Sequence, residues 1–124
     1  MAFKFQNLKV WQKSMILAND IHYLALRFPK DEAYVLNPQI RRAANSITLN
    51  IAEGSTGQSN KEFVRFLRYS LRSTIETVGC LFLAKERNYI NESQFISLYK
   101  KCEEVLVMIN GLIKVLESGS PKDR

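Results

Sequence analysis

Residues 91–117 read NESQFISLYKKCEEVLVMINGLIKVLE. Asn91 and Gln94 stand three apart ahead of an apolar run, the spacing of a capping box, in which each side chain satisfies the other's backbone amide. Phe95, Leu98, Cys102, Val105, Ile109, Leu112 and Leu116 then follow at alternating intervals of three and four. This is a heptad seam, and it predicts a long helix packed nearly parallel to its neighbours in a left-handed bundle. Leu106 and Ile113 widen the seam for a second contact.

Working backward, Ser59 and Glu62 repeat the capping spacing and open a third helix through Phe63, Leu67, Leu71, Thr74, Val78, Leu81 and Phe82. Lys85 and Arg87 suit the negative end of its dipole. Asn37 followed by Pro38 predicts an N-cap and a first-position proline for a second helix through Ile40, Ala44, Ile47 and Ile51 toward Gly54. The first helix is expected from Asn7 to Phe28, ended by Pro29. It carries one ridge of Val10, Leu17, Ile21, Leu24 and Phe28 and another of Trp11, Met15, Ala18, His22 and Ala25. No stretch alternates with period two, so the expected fold is all-α, an antiparallel up-down-up-down four-helix bundle over 1–117, with a flexible tail at 118–124.

The 124 residues, 46% of them hydrophobic, suffice for one core and exclude a disordered chain. The amino terminus lacks the apolar run of a signal peptide, and no segment approaches the length of a membrane span, so a cytoplasmic protein is expected. Cys80 and Cys102 sit inside apolar helical patterns and read as buried, reduced thiols rather than a disulfide. Metal and acid-base catalysis need convergent His, Cys or carboxylate groups. One histidine, no His-Glu-x-x-His and no Glu-x-x-His point to no enzyme, metal or cofactor. His22, between Ala18 and Ala25, reads as a core or interface residue hydrogen-bonded to a neighbour. Gly54-Ser-Thr-Gly57 lacks the Gly-Lys-Ser/Thr ending of a phosphate loop and reads as a helix connection.

The net charge is +6, with the excess confined to residues 1–90. Lys61, Arg65, Arg68 and Arg72 share one face of the third helix, and Arg41 and Arg42 stand where the positive end of the second helix disfavours cations. Two accounts follow. The cations pair with carboxylates (Glu53, Glu103 or Glu104 for the stripe, Glu76 for Arg41 and Arg42), or they hold phosphates of RNA. Phe66 and Tyr69 lie beside the arginines, either as core residues or as surfaces on which bases stack.

The string from Gln39 to Ser55, followed by Ser59 to Leu67, resembles the bacterial four-helix-bundle family of proteins encoded in intervening sequences of 23S rRNA genes. Leu8 to Gln12, Phe28-Pro29 with Glu32 and Tyr34, and Asn88-Tyr-Ile90 extend the resemblance over nearly the whole chain. The resemblance implies a bundle without catalytic activity that assembles into a ring, commonly a homopentamer. It is also similar to the accessory variability proteins of diversity-generating retroelements, and RNA binding is implied through that analogy. Arg41, Arg42, Asn50, Glu53, Lys61, Glu62 and Arg65 match recurrent polar positions of the family and equally suit organising the bundle or its interfaces, as does Glu76. The chain departs from the pattern at Val35, where the family has Gly, and at Thr48, where it has Pro. Thr74-Ile-Glu76 replaces a Glu-Leu-Glu stretch, which leaves the stripe less neutralised. Two functions are therefore expected from the sequence: an oligomeric RNA-binding bundle, or a scaffold whose arginines form ion pairs within or between subunits.

Overall fold

Pro29 stops the first helix earlier than its periodicity predicts. In the computed structural model, which describes residues 3–119, α1 spans Lys9–Ala25. Arg27 and Phe28 close it with amide bonds to Leu24 and Ala25 at 3.0 and 3.1 Å. The three remaining helices are α2 (Leu36–Gly54), α3 (Asn60–Glu86) and α4 (Glu92–Glu117), with short 3-10 turns at Lys4–Asn7 and Lys30–Glu32. At about 1.5 Å per residue, α3 is roughly 40 Å long.

Each helix packs on its neighbours in sequence, and α1 packs on α4, which closes an up-down-up-down bundle. Its centre is apolar: Leu17, Ile21, Ile40, Ile47, Ile51, Leu67, Leu81, Val105, Ile109 and Leu116 are all fully buried. The predicted seam of α4 holds, with Ile113 buried and Leu112 only half-buried. On α1 the first ridge is core, whereas the second is mixed, since Met15 is exposed and Ser14 is buried beside it. The Ser14 hydroxyl is satisfied within the helix by the Trp11 carbonyl at 2.7 Å. Between α2 and α3 the pairing is polar as well as apolar: Ser70 donates to the Ile47 carbonyl at 2.8 Å and Ser73 to Ser46 at 3.0 Å.

Of the three capping signals, one forms in full, one in part and one not at all. Asn91 and Gln94 form the full reciprocal box, each bond 2.8 Å. Ser59 caps α3 by accepting from the Glu62 amide at 3.1 Å, but the Glu62 side chain turns to Arg65 instead of reaching back. Asn37 is not the cap of α2. The helix starts two residues earlier, at Leu36, with Pro38 in its third position, where a missing N–H leaves nothing unsatisfied. Glu32 supplies the cap, its Oε1 accepting from the Leu36 amide at 3.2 Å. Asn37 instead donates to the Ala25 carbonyl at 2.9 Å and so ties the start of α2 to the end of α1.

Asn88, at φ 62°, turns the chain out of α3. The Tyr89 amide bonds back to the Ala84 carbonyl and the Asn88 amide to that of Lys85, the pair of bonds that defines a Schellman ending. That turn delivers Tyr89 to Glu32. The buried Glu32 carboxylate accepts from the Tyr89 hydroxyl at 2.7 Å and from Arg87 at 3.2 Å, while the Tyr89 ring packs on Phe28 at 5.6 Å. The Tyr89 bond, with help from the Leu36 amide and Arg87, outweighs desolvation and lowers the Glu32 pKa below its ordinary value. The same contact raises that of Tyr89.

Cys80 and Cys102 are free and buried, and burial pushes their pKa values up to about 11 and about 12. Thiols so shielded stay protonated and unreactive at neutral pH. The expected tail falls outside the described residues from position 120 onward.

Candidate nucleic-acid interface

Phe63, Leu67, Ser70, Thr74, Thr77 and Leu81 turn one face of α3 into the core. At about 100° per residue, Lys61, Arg65, Arg68 and Arg72 fall on the opposite face, and all four are exposed. They divide into two kinds. Lys61 and Arg72 make no ion pair or hydrogen bond among the described residues, whereas Arg65 and Arg68 are engaged.

Arg65 is the most constrained. Its Nε donates to Glu62 Oε1 at 3.1 Å, its Nη2 donates to the same oxygen, and its Nη1 donates to the Tyr69 hydroxyl at 2.9 Å. Its Cζ lies 4.8 Å from the centre of the Phe66 ring and 5.5 Å from that of Tyr69, the two rings being edge-to-face. The Glu62 bond, then that of Tyr69, raises the Arg65 pKa, and the guanidinium in turn lowers that of Glu62. Even so, the Arg65 side chain is 51% exposed. Phe66 is half-buried and Tyr69 exposed, so neither is a core residue. Beneath them Gly54 leaves the room α3 requires. A Cβ at position 54 would stand 2.6 Å from the Phe66 Cβ, so α2 and α3 meet here at backbone distance.

Arg68 reaches across to α4 and meets Glu117 at 3.0 Å, with both side chains more than half exposed. The expected partners are thus replaced. Glu104 pairs with Lys13 at 3.5 Å, and Glu53 and Glu103 take no cation among the described residues. Lys61 also borders a hollow with Asn60, Val64, Leu116 and Glu117, where Asn60 donates to the Leu116 carbonyl at 3.3 Å.

Arg41 and Arg42 do not join this face. Ser46 lies beside Ser73, so the start of α2 runs alongside the later part of α3, at the far end from Lys61. Arg41 bonds through Nε to Asn37 at 2.7 Å and, because Asn37 is tied to the end of α1, faces that side. Among the described residues Arg42 is exposed without a partner, and neither arginine pairs with Glu76, which is itself exposed and unpaired there. Asn50 is turned inward on α2, donating to the carbonyl and hydroxyl of Ser46 at 2.9 Å.

His22 is half-buried with its ring edge-on to Tyr23 at 5.2 Å, and no side-chain hydrogen bond holds it among the described residues, contrary to expectation. Among the described residues no three His, Cys, Asp or Glu side chains gather into a group able to hold a metal ion. No helix among them is long and apolar enough to cross a membrane.

A family model for the 23S rRNA-intervening sequence protein matches residues 6–111. The chain belongs to that family. Among solved structures it is similar to a 1.70 Å crystal structure from Bacteroides thetaiotaomicron VPI-5482, a protein with unknown function from the S23 ribosomal protein family. The two share 28% identity at a TM-score of 0.77, over 85% of this chain and 98% of that one. No curated protein matches.

Two of the segments that carried the resemblance come together in space. Phe28, Glu32 and Tyr89 meet at one end of the bundle. At the start of the chain, Gln12 donates to the Gln6 carbonyl at 2.7 Å and Trp11 packs edge-on against Phe5 at 4.8 Å. The sequence reading missed Glu32, Arg87 and Tyr89 as a unit, along with Glu117. They lie 55, 57 and 49 positions from their partners, and no local spacing announces such pairs.

Proposed function

We propose that this protein is a non-catalytic, cytoplasmic bundle that binds RNA through phosphate contacts on the outer face of α3. The observation that carries the reading is Lys61 and Arg72, exposed and without a carboxylate among the described residues, on one face with Arg65 and Arg68. Like charges spaced three and four apart on a helix repel by a few tenths of a kcal/mol per pair, so a stripe that is only half neutralised lacks an internal reason. An external polyanion relieves that repulsion and releases its own counterions. Arg42 extends the basic surface at a distance from the stripe, and Arg41, held by Asn37, serves the α1–α2 junction instead.

Self-association into a ring, commonly a homopentamer, is part of the proposal. Ile75 and Phe82 on α3 and Ile96 and Val107 on α4 are 59%, 52%, 42% and 66% exposed, which suits contact with a second copy. A ring would repeat a weak site and let one RNA engage several subunits. A second reading is favoured by the unpaired carboxylates Glu53 and Glu76, which in an assembly would serve as intersubunit partners for Arg42 and Arg72.

The test is a titration of labelled RNA at two salt concentrations, with light scattering of the same protein during size-exclusion chromatography. Charge reversal at Arg72 is expected to weaken RNA binding and leave the oligomer intact. If the oligomer dissociates instead while the wild type ignores RNA at low salt, the scaffold reading replaces the first.

A further inference from the structure

The geometry of Arg65 points to a stacking platform: we infer that this guanidinium offers its open face to an unpaired base, so that the stripe takes single-stranded RNA in preference to duplex. The inference rests on the RNA-binding reading above and deepens it. A guanidinium recognises phosphate through the N–H groups in its plane. In Arg65 three of the five N–H groups are already directed at Glu62 and the Tyr69 hydroxyl, one each from Nε, Nη2 and Nη1. What remains is one N–H on each Nη and the face. The Arg65 Cζ lies over the Phe66 ring, and half of the side chain is exposed.

Three supports fix this plane, and all come from α3 itself. Glu62 stands three residues before Arg65, Phe66 adjoins it, and Tyr69 stands four residues after it, so the platform is built before any ligand arrives. Preorganisation of this kind reduces the entropy lost when a ligand stacks. Gly54 lets Phe66 sit tightly against α2, which stiffens the ring beneath the guanidinium.

The surroundings complete a nucleotide site. Ser59, Lys61, Glu62, Val64, Arg65 and Arg68 line a shallow depression of ≈ 370 Å³, with Val64 as its apolar floor. Lys61 lies one helical turn before Arg65, about 6 Å along the axis, and Arg72 two turns after it, about 10 Å away. A base on Arg65 thus has an unpaired cation on either side for the flanking phosphates. A duplex presents its phosphates outward but keeps its bases stacked inside, where a convex helix surface does not reach them. A single strand presents both.

The experiment measures fluorescence anisotropy of the full chain with three labelled RNAs of equal length: a single strand, the same strand made abasic, and a duplex. The single strand is expected to bind about tenfold more tightly than the abasic strand, within the range for loss of stacking. Arg65→Lys keeps the charge and is expected to abolish that discrimination. Equal affinity for the single and abasic strands overturns the platform and leaves phosphate binding standing. Binding of none of the three at low salt overturns both.

Discussion

Two groups of the same three residue types behave in opposite ways. At one end of the bundle, Glu32, Arg87 and Tyr89 centre on a carboxylate that is buried and accepts from a hydroxyl, a guanidinium and the Leu36 amide. On the outer face of α3, Glu62, Arg65 and Tyr69 centre on a guanidinium that remains half exposed. The first group joins positions more than fifty apart in sequence and locks the α1–α2 junction to the end of α3. The second lies within two turns of one helix and joins nothing else. Ion pairs exposed to water contribute little stability, whereas breaking a buried one leaves an unsatisfied group inside. The comparison teaches that the Glu32 group belongs to the fold and the Arg65 group is free to serve a ligand.

The strongest way to break that contrast is Glu32→Ala. It removes the cap of α2 and both long-range partners, and is expected to lower Tm by roughly 10 °C in thermal unfolding. Titration sharpens the point. Because the folded Glu32 pKa is lowered, its contribution is complete above the ordinary carboxylate value of 4.5 and disappears as pH falls through the lower folded value. Melts across that acid range should converge for wild type and variant, while those near neutrality stay apart.

Gly54→Ala attacks the exposed group from beneath. A Cβ only 2.6 Å from that of Phe66 forces α2 and α3 apart, with an expected cost of about 1–3 kcal/mol in denaturant unfolding. Gly79→Ala, where a Cβ meets nothing, is expected to stabilise by about 0.5–1 kcal/mol.

The tyrosines give the most even comparison. Tyr89→Phe deletes the bond to Glu32 and is expected to lower Tm by a few degrees, whereas Tyr69→Phe should leave it unchanged within about a degree. The smallest effect belongs to Thr48, whose buried hydroxyl has no hydrogen-bond partner. Thr48→Val is expected to leave stability within about 0.5 kcal/mol or raise it slightly, since no bond is lost.

These two groups also mark how much the sequence alone could convey. Phe95 through Leu116 announced α4, and the serine and asparagine caps of α3 and α4 were legible because capping is local. The start of α2 was misplaced because its cap comes from Glu32, outside the pattern that Asn37-Pro38 suggested. The basic stripe was readable from spacing as one face of a helix, and its position opposite the core is set by the packing of α3. Which of its members were already engaged was not: Arg68 finds Glu117 across a helix pair, and Arg41 and Arg42 separate from the stripe only once the antiparallel direction of α2 is known. The aromatic pair Phe66 and Tyr69 was open to either reading until exposure placed it on the surface under Arg65.

The central claim is that the unpaired cations of α3 are the ones that meet phosphate. It is tested most directly by the salt dependence of single-stranded RNA affinity for wild type, Lys61→Ala and Lys101→Ala. Lys101 is a cation of the same type, paired with Asp20 on the α1–α4 side. The account predicts that losing Lys61 lowers the slope of log K against log salt by about one phosphate contact, and that losing Lys101 leaves it unchanged. Equal slopes for all three proteins, or an equal loss from both variants, would contradict it.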